Sequence, residues 1–113
     1  MLYIETNMAS YETIRRSLDA VYPEAKTEHI TTDHALKALG FIDYPPCVFS
    51  LDMTWDEYNR MMDELMQVEV DAFNTEDGKM PAEDDEYYQK YLEHGWLWDL
   101  FFNADDRGNI TEK

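Results

Sequence analysis

The residues from Thr54 to Phe73 form the most regular stretch of the chain, and they limit what it can fold into. Apolar side chains recur there at spacings of three and four, which is the pattern of an amphipathic helix. Thr54 and Glu57 have the spacing of a capping box, in which each side chain bonds the other residue's backbone amide. The sequence therefore predicts a helix about 30 Å long with one buried face. That face consists of Tyr58, Met61, Met62, Leu65, Val68, Ala72 and Phe73.

Two segments in the first half of the chain predict strands. Residues 1–6 carry Leu2 and Ile4 on one face, and residues 47–51 are mostly apolar, as expected of a central strand. Residues 26–31 fit either an edge strand or a loop. The predicted fold class is α+β, predominantly helical, with a small two- or three-stranded sheet near the N-terminus and helices packed on it.

Two shorter helices are predicted before the second strand. The first runs from about Ser10 to Tyr22, ends before a proline, and directs Arg15 and Arg16 outward. The second spans about residues 32–39 and stops at Gly40, because glycine is the usual residue just past a helix end.

The C-terminal region predicts one more helix, an apolar segment and a tail. The helix begins near residues 84–86 and ends at Gly95, where His94 is expected to contact the terminal carbonyls. Residues 96–102 are apolar on all sides except Asp99, so they are either largely buried or held for a partner. We predict one domain over residues 1–104 and a fraying polar tail over 105–113. The side chains expected to be buried by the helix are Tyr87, Tyr88, Tyr91 and Leu92.

The charge of the chain limits its partners. It contains 25 acidic and 9 basic residues, a net charge of −16, and residues 52–113 account for −13 of it. Such an excess opposes direct binding to nucleic acid or to an anionic membrane surface. It favours a basic protein surface as partner. The competing explanation is that the charge only maintains solubility.

Thirteen of the acidic residues lie between residues 52 and 86, where the only basic ones are Arg60 and Lys79. Carboxylates three or four residues apart on a helix are about 5–6 Å apart, which is comparable with the spacing of phosphates along a nucleic-acid strand. We therefore predict a partner-binding surface in this region. Its residues are Asp56, Glu57, Asp63, Glu64, Asp71, Glu76, Asp77, Glu83, Asp84, Asp85 and Glu86.

No motif in the sequence predicts catalysis or a cofactor. The chain lacks a nucleophile elbow, a Walker-type loop and a dinucleotide fingerprint. His29, His34 and His94 are scattered and lack the spacing of a zinc site. Residues 103–110 partly match a calcium loop, but a cation occupies its fifth position and the chain ends before its twelfth, so no metal site is predicted.

The sequence also indicates a cellular location. Cys47 is the only cysteine, so an internal disulfide is impossible. The chain shows no apolar run long enough to cross a bilayer and no basic-then-apolar leader. We therefore expect a cytoplasmic protein without membrane contact.

Together these patterns predict a non-enzymatic, acidic protein-binding module. In its more specific form, the protein mimics nucleic acid and inhibits a basic protein, as anti-restriction and anti-CRISPR inhibitors of mobile elements do as a class. The alternative is a small assembly or accessory protein that buries its C-terminal aromatic helix in a homo- or hetero-oligomer. The oligomeric state is not predicted.

Overall fold

The computed structural model of the chain describes residues 1–41, 47–73 and 86–112. Within these ranges the fold is α+β and mainly helical, which confirms the predicted class. The helices pack on one four-stranded sheet, which has one strand more than the largest sheet predicted. In chain order, the elements are β1 Leu2–Thr6, α1 Tyr11–Val21, β2 Thr27–His29, α2 Asp33–Ala38, β3 Cys47–Leu51, α3 Trp55–Phe73, α4 Glu86–Asp106 and β4 Ile110–Glu112.

The sheet is antiparallel throughout, with the strand order β2-β3-β1-β4. Strand β3 is central and all five of its residues are buried, as its apolar sequence predicted. Ile4 lies opposite Phe49 and Leu2 opposite Leu51, so these side chains share the face that carries the main core. The undecided segment 26–31 contains the edge strand β2.

The predicted fraying tail instead completes the sheet. Strand β4 pairs with β1, and Ile110 is buried opposite Ile4. The connection from α4 is a Schellman motif, in which the Asn109 amide donates to the Ala104 carbonyl at 2.7 Å. Gly108 adopts a φ of 71°, a conformation that favours glycine. The prediction was wrong here because pairing with β1 gives an otherwise polar segment its backbone partners.

Helix α1 matches its prediction except at one arginine. Ser10 caps the helix by accepting a hydrogen bond from the Thr13 amide. Arg15, expected to point outward, folds back over the chain and donates to the Ala25 carbonyl at 2.7 Å. It also pairs with Asp19. Arg15 therefore ties α1 to the segment that enters β2.

Helix α4 continues through Gly95 to Asp106, so the predicted end at Gly95 was wrong. A glycine inside a helix costs about 1 kcal/mol relative to alanine. Full burial of a large apolar side chain contributes about 1.5–3 kcal/mol, and three such side chains follow the glycine. They are Leu97, Leu100 and Phe101, which are all fully buried as α4 packs against α3, α1 and β1.

The longer helix also changes the environment of residues before Gly95. Leu92, predicted to be buried, is 42% exposed. Tyr88 and Tyr91 are only half-buried. The Nδ1 atom of His94 lies 2.7 Å from the Lys90 carbonyl in the middle of the helix, so His94 does not cap a helix end. The side chain of Tyr87 lies outside the described residues.

Candidate functional site

The start of α3 has the predicted capping box. The Glu57 amide donates to the Thr54 hydroxyl at 3.2 Å, and the Thr54 amide donates to the Glu57 carboxylate at 3.5 Å. These bonds satisfy two amides that the helix itself leaves unpaired. They also fix the residue at which the helix begins, and therefore which side chains face the core.

The buried face of α3 follows the predicted stripe. Tyr58, Met61 and Leu65 are almost completely buried, while Met62 and Val68 are half-buried. The side chains of Ala72 and Phe73 lie outside the described residues. The Tyr58 hydroxyl donates to the Phe101 carbonyl at 3.4 Å and anchors α3 to α4. Burial raises the pKa of Tyr58, and the nearby charge of Asp105 acts in the same direction.

Five predicted site residues lie together on the opposite side of α3, and we call this set the acidic face. At about 100° per residue they occupy about one third of the helix circumference, and they extend over about 22 Å of its length. All five side chains are exposed. The acidic face consists of Asp56, Glu57, Asp63, Glu64 and Asp71.

The structure does not describe the side chains of the other six predicted site residues. Glu76, Asp77, Glu83, Asp84 and Asp85 lie outside the described residues. Glu86 begins α4, but its side chain is likewise outside them. The proposed continuation of the acidic surface beyond α3 therefore stays a prediction.

The acidic face is not neutralised by cations in the described part of the chain. None of its five carboxylates forms an ion pair with an arginine or lysine there. Arg60 lies within the same arc of the helix and is exposed, yet it pairs with none of them. The face consequently retains most of its negative charge.

Hydrogen bonds from uncharged donor groups orient three of the five carboxylates. Glu57 belongs to the capping box, and Glu64 accepts a hydrogen bond from the Tyr22 hydroxyl. Asp71 accepts one from the Gln67 side-chain amide at 2.8 Å. Such donors hold a carboxylate in place without cancelling its charge. Asp56 and Asp63 have no bond within the described residues.

A cleft of about 230 Å³ borders the acidic face and brings in two residues that the sequence analysis missed. They are Tyr22 and Glu24, which follow α1. Partial burial, then the hydrogen bond to Glu64 and the charges of Glu64 and Glu24, raise the pKa of Tyr22. No pattern could have linked Tyr22 to Glu64, because they are 42 positions apart. The cleft is lined by Tyr22, Glu24, Met53, Glu57, Arg60, Met61 and Glu64.

The partial calcium-loop match does not form a loop. Asn103 and Asp105 belong to the last turns of α4, and the Asn103 side-chain amide donates to the Asp99 carbonyl at 2.8 Å. Gly108 forms the turn and Ile110 enters β4. In residues 1–41, 47–73 and 86–112, no three His, Cys, Asp or Glu side chains are grouped so that they could hold a metal ion.

The apolar segment 96–102 divides between core and surface. Leu97, Leu100 and Phe101 are fully buried, whereas Phe102 is 47% exposed. The Phe102 ring stacks on that of half-buried Trp98, with centroids 4.7 Å apart and planes 11° apart. Leu97, Leu100 and Phe101 therefore belong to the core, Trp96 and Trp98 are half-buried against it, and Asp99 and Phe102 are exposed.

Comparisons of the chain with protein-family models, curated proteins and solved structures give no match. Functional inference therefore depends on the residues and geometry of this chain. None of the described helices has both the length and the apolar composition needed to cross a bilayer.

Proposed function

We propose that this chain is a non-enzymatic cytoplasmic module that binds a basic surface on another protein through its acidic face. The main support is the arrangement of Asp56, Glu57, Asp63, Glu64 and Asp71 on one arc of α3. All five are exposed, and none is paired with a described arginine or lysine. Charges of one sign gathered on a rigid helix steer an oppositely charged partner and orient it on contact.

The more specific proposal is that the acidic face imitates nucleic acid and inhibits a protein that binds it. Adjacent carboxylates on a helix face are about 5–6 Å apart, and the five extend over about 22 Å at 1.5 Å per residue. A channel that binds phosphates through lysine and arginine can accept a surface of this kind. Such an inhibitor belongs to the same functional class as anti-restriction and anti-CRISPR proteins of mobile elements.

The proposal is tested by capturing proteins from a bacterial lysate on the immobilised chain. The variant Asp56→Asn/Asp63→Asn/Asp71→Asn removes three charges from the acidic face. The control Asp105→Asn/Asp106→Asn/Glu112→Gln removes three exposed charges elsewhere. Bound proteins are identified and quantified by mass spectrometry at about 0.1 M and about 1 M salt, where the screening length falls from about 10 to about 3 Å.

We expect a basic partner whose recovery at low salt falls about tenfold with the acidic-face variant, which corresponds to about 1.4 kcal/mol. The control variant should retain the partner, and 1 M salt should release it from the wild-type chain. Equal recovery by the two triple variants, or undiminished recovery at high salt, would contradict the proposal. Competition by duplex DNA for the captured partner would support the nucleic-acid-mimic form.

A second candidate function has support from the stacked pair Trp98–Phe102. An aromatic side chain that is 47% exposed, as Phe102 is, suits burial in an oligomer or against a partner protein. Size-exclusion chromatography with light scattering tests self-association at tens of micromolar protein. A dimer that is lost with Phe102→Ser and retained with Met8→Ser, which changes another exposed apolar residue, would favour this function. A monomer would contradict its homo-oligomeric form.

A further inference from the structure

A cleft of about 280 Å³ lies between α3 and α4, above Gly95. Apart from its chain neighbours and the backbone of its own helix, a Cβ atom built on Gly95 would have no atom within 4 Å. Nothing within the described chain therefore requires glycine at this position, even though glycine weakens a helix. The space above it is open to an incoming group. The cleft is lined by Glu69, Tyr91, Leu92, Gly95, Trp96 and Asp99.

Two of the residues that line the cleft are aromatic. Tyr91 and Trp96 are five positions apart, so they diverge by about 140° around the helix. The arc between them carries Leu92, Gly95 and Asp99. Both aromatic residues are half-buried, and Trp96 packs against the core. Their rings are therefore supported by the protein while part of each remains accessible.

Two carboxylates give the cleft a negative potential. Glu69 comes from α3 and is half-buried, while Asp99 comes from α4 and is exposed. Neither forms an ion pair with a described arginine or lysine. Partial burial raises the pKa of Tyr91, and the charges of Glu69 and Asp99 contribute to the same shift. Tyr91 is thus a neutral hydrogen-bonding group beside two anions.

We propose that this cleft, which we call the Gly95 cleft, binds the guanidinium group of an arginine on a basic partner protein. A guanidinium is planar and weakly hydrated, so it stacks on aromatic rings and still bonds carboxylates at its edge. The Gly95 cleft supplies both kinds of contact. A lysine ammonium fits less well, because it is a compact and strongly hydrated charge.

The inference depends on the proposed function in one respect, namely that the partner is basic. It concerns different residues, however, since the acidic face and the Gly95 cleft share none. The acidic face supplies long-range attraction, whereas the Gly95 cleft selects one type of side chain at short range. The two are therefore tested separately.

The test is an NMR titration of the isotope-labelled full chain with the peptide acetyl-Gly-Arg-Gly-amide. The matched probe contains citrulline, which has the shape of arginine without its charge. We expect the arginine peptide to shift the Trp96 indole and Gly95 amide signals saturably. The citrulline peptide should bind at least about fivefold more weakly, as expected when a cation–π contact is lost.

Two variants locate the binding. Gly95→Gln fills the cleft with a good helix former, so it should raise the thermal unfolding midpoint while it abolishes the peptide-induced shifts. Asp99→Asn should weaken arginine binding about threefold, the size of a modest surface ion pair. Asp106→Asn, the same change elsewhere on α4, should alter it less.

The inference is overturned if the citrulline peptide binds as well as the arginine peptide, or if Gly95→Gln binds normally. The variant Asp56→Asn/Asp63→Asn/Asp71→Asn separates the two proposals. If it loses lysate capture but keeps the Trp96 shifts, both proposals are supported. If the arginine peptide shifts the Trp96 signal but the triple variant captures as much protein from the lysate as the wild type, only the proposed function is contradicted.

Discussion

Helices α3 and α4 are of similar length, but they differ in how their sequences encode them. Helix α3 carries one apolar stripe and one polar face, and its cap is a recognisable motif. Helix α4 has a glycine near its middle, and the residues that follow the glycine, 96–102, are apolar on most sides. The structure explains the difference, because α4 packs against α3, α1 and β1. Apolar residues at spacings of three and four reveal a helix with one buried face. A helix that packs against several other elements is apolar on several sides and does not show this spacing.

The same contrast extends to the exposed surfaces. Helix α3 presents carboxylates held by a regular backbone, and the proposed function depends on their charge. Helix α4 presents aromatic and aliphatic side chains around Gly95 and at Phe102. The exposed apolar groups of α4 are consistent with short-range contacts, while the acidic face acts over longer distances.

The largest effect should come from the buried side of α4. Phe101→Ala removes a fully buried ring and should lower the free energy of unfolding by about 3–5 kcal/mol. Phe102→Ala, its neighbour on the exposed side, should lower it by about 1 kcal/mol or less, mainly through the lost stacking on Trp98. Urea denaturation monitored by circular dichroism measures both.

This pair of variants tests whether only one side of α4 is buried at this position. Equal losses for Phe101→Ala and Phe102→Ala would mean that both rings are buried in solution. That result would favour an oligomer in which the exposed side of α4 is covered. A much smaller loss for Phe101→Ala than for Leu65→Ala on α3 would contradict the full burial of Phe101.

An intermediate effect should come from the contact between the two helices. The pKa of Tyr58 is raised in the folded state, so the folded chain holds this proton more tightly than the unfolded chain. The resulting contribution of Tyr58 to the free energy of unfolding is fully present below about pH 10, which is the ordinary tyrosine pKa. It is lost as the pH rises above that value, by at most about 1.4 kcal/mol per pH unit.

Tyr58→Phe isolates this contribution. It should cost about 1 kcal/mol at pH 7 through the lost hydrogen bond to the Phe101 carbonyl. Between pH 10 and 11 its stability should fall less steeply than that of the wild type. The measurement is urea denaturation at each pH, with Tyr3→Phe as the control. Parallel curves for Tyr58→Phe and the wild type would contradict the buried position of Tyr58.

Small effects of opposite sign should come from two glycines in and after α4. Gly95→Ala should stabilise the chain by about 1 kcal/mol, because it improves helix propensity and the new methyl meets no neighbour. Gly108→Ala should destabilise it by about 1 kcal/mol, since its φ of 71° is strained for alanine. Thermal unfolding should show opposite shifts. Destabilisation by Gly95→Ala would mean that the space above this residue is filled in solution.

Local signals in the sequence were sufficient for much of the fold. The Thr54–Glu57 capping box and the apolar run in β3 each depend on neighbouring residues. The corresponding elements were therefore predicted. The same local rules placed Asp56, Asp63 and Asp71 on one exposed face, because helix periodicity fixes the face once the buried stripe is known.

Long-range contacts decided the rest. Gly95 was interpreted as a helix end because its local preference is unfavourable, and only the packing of Leu97, Leu100 and Phe101 overrides that preference. The strand at Ile110 depends on pairing with β1, more than 100 residues earlier in the chain. The sequence by itself determined which segments form helices with one solvent-exposed face. The tertiary structure decided where helices continue and which distant residues form clefts, because those outcomes depend on burial energy and pairing between segments far apart.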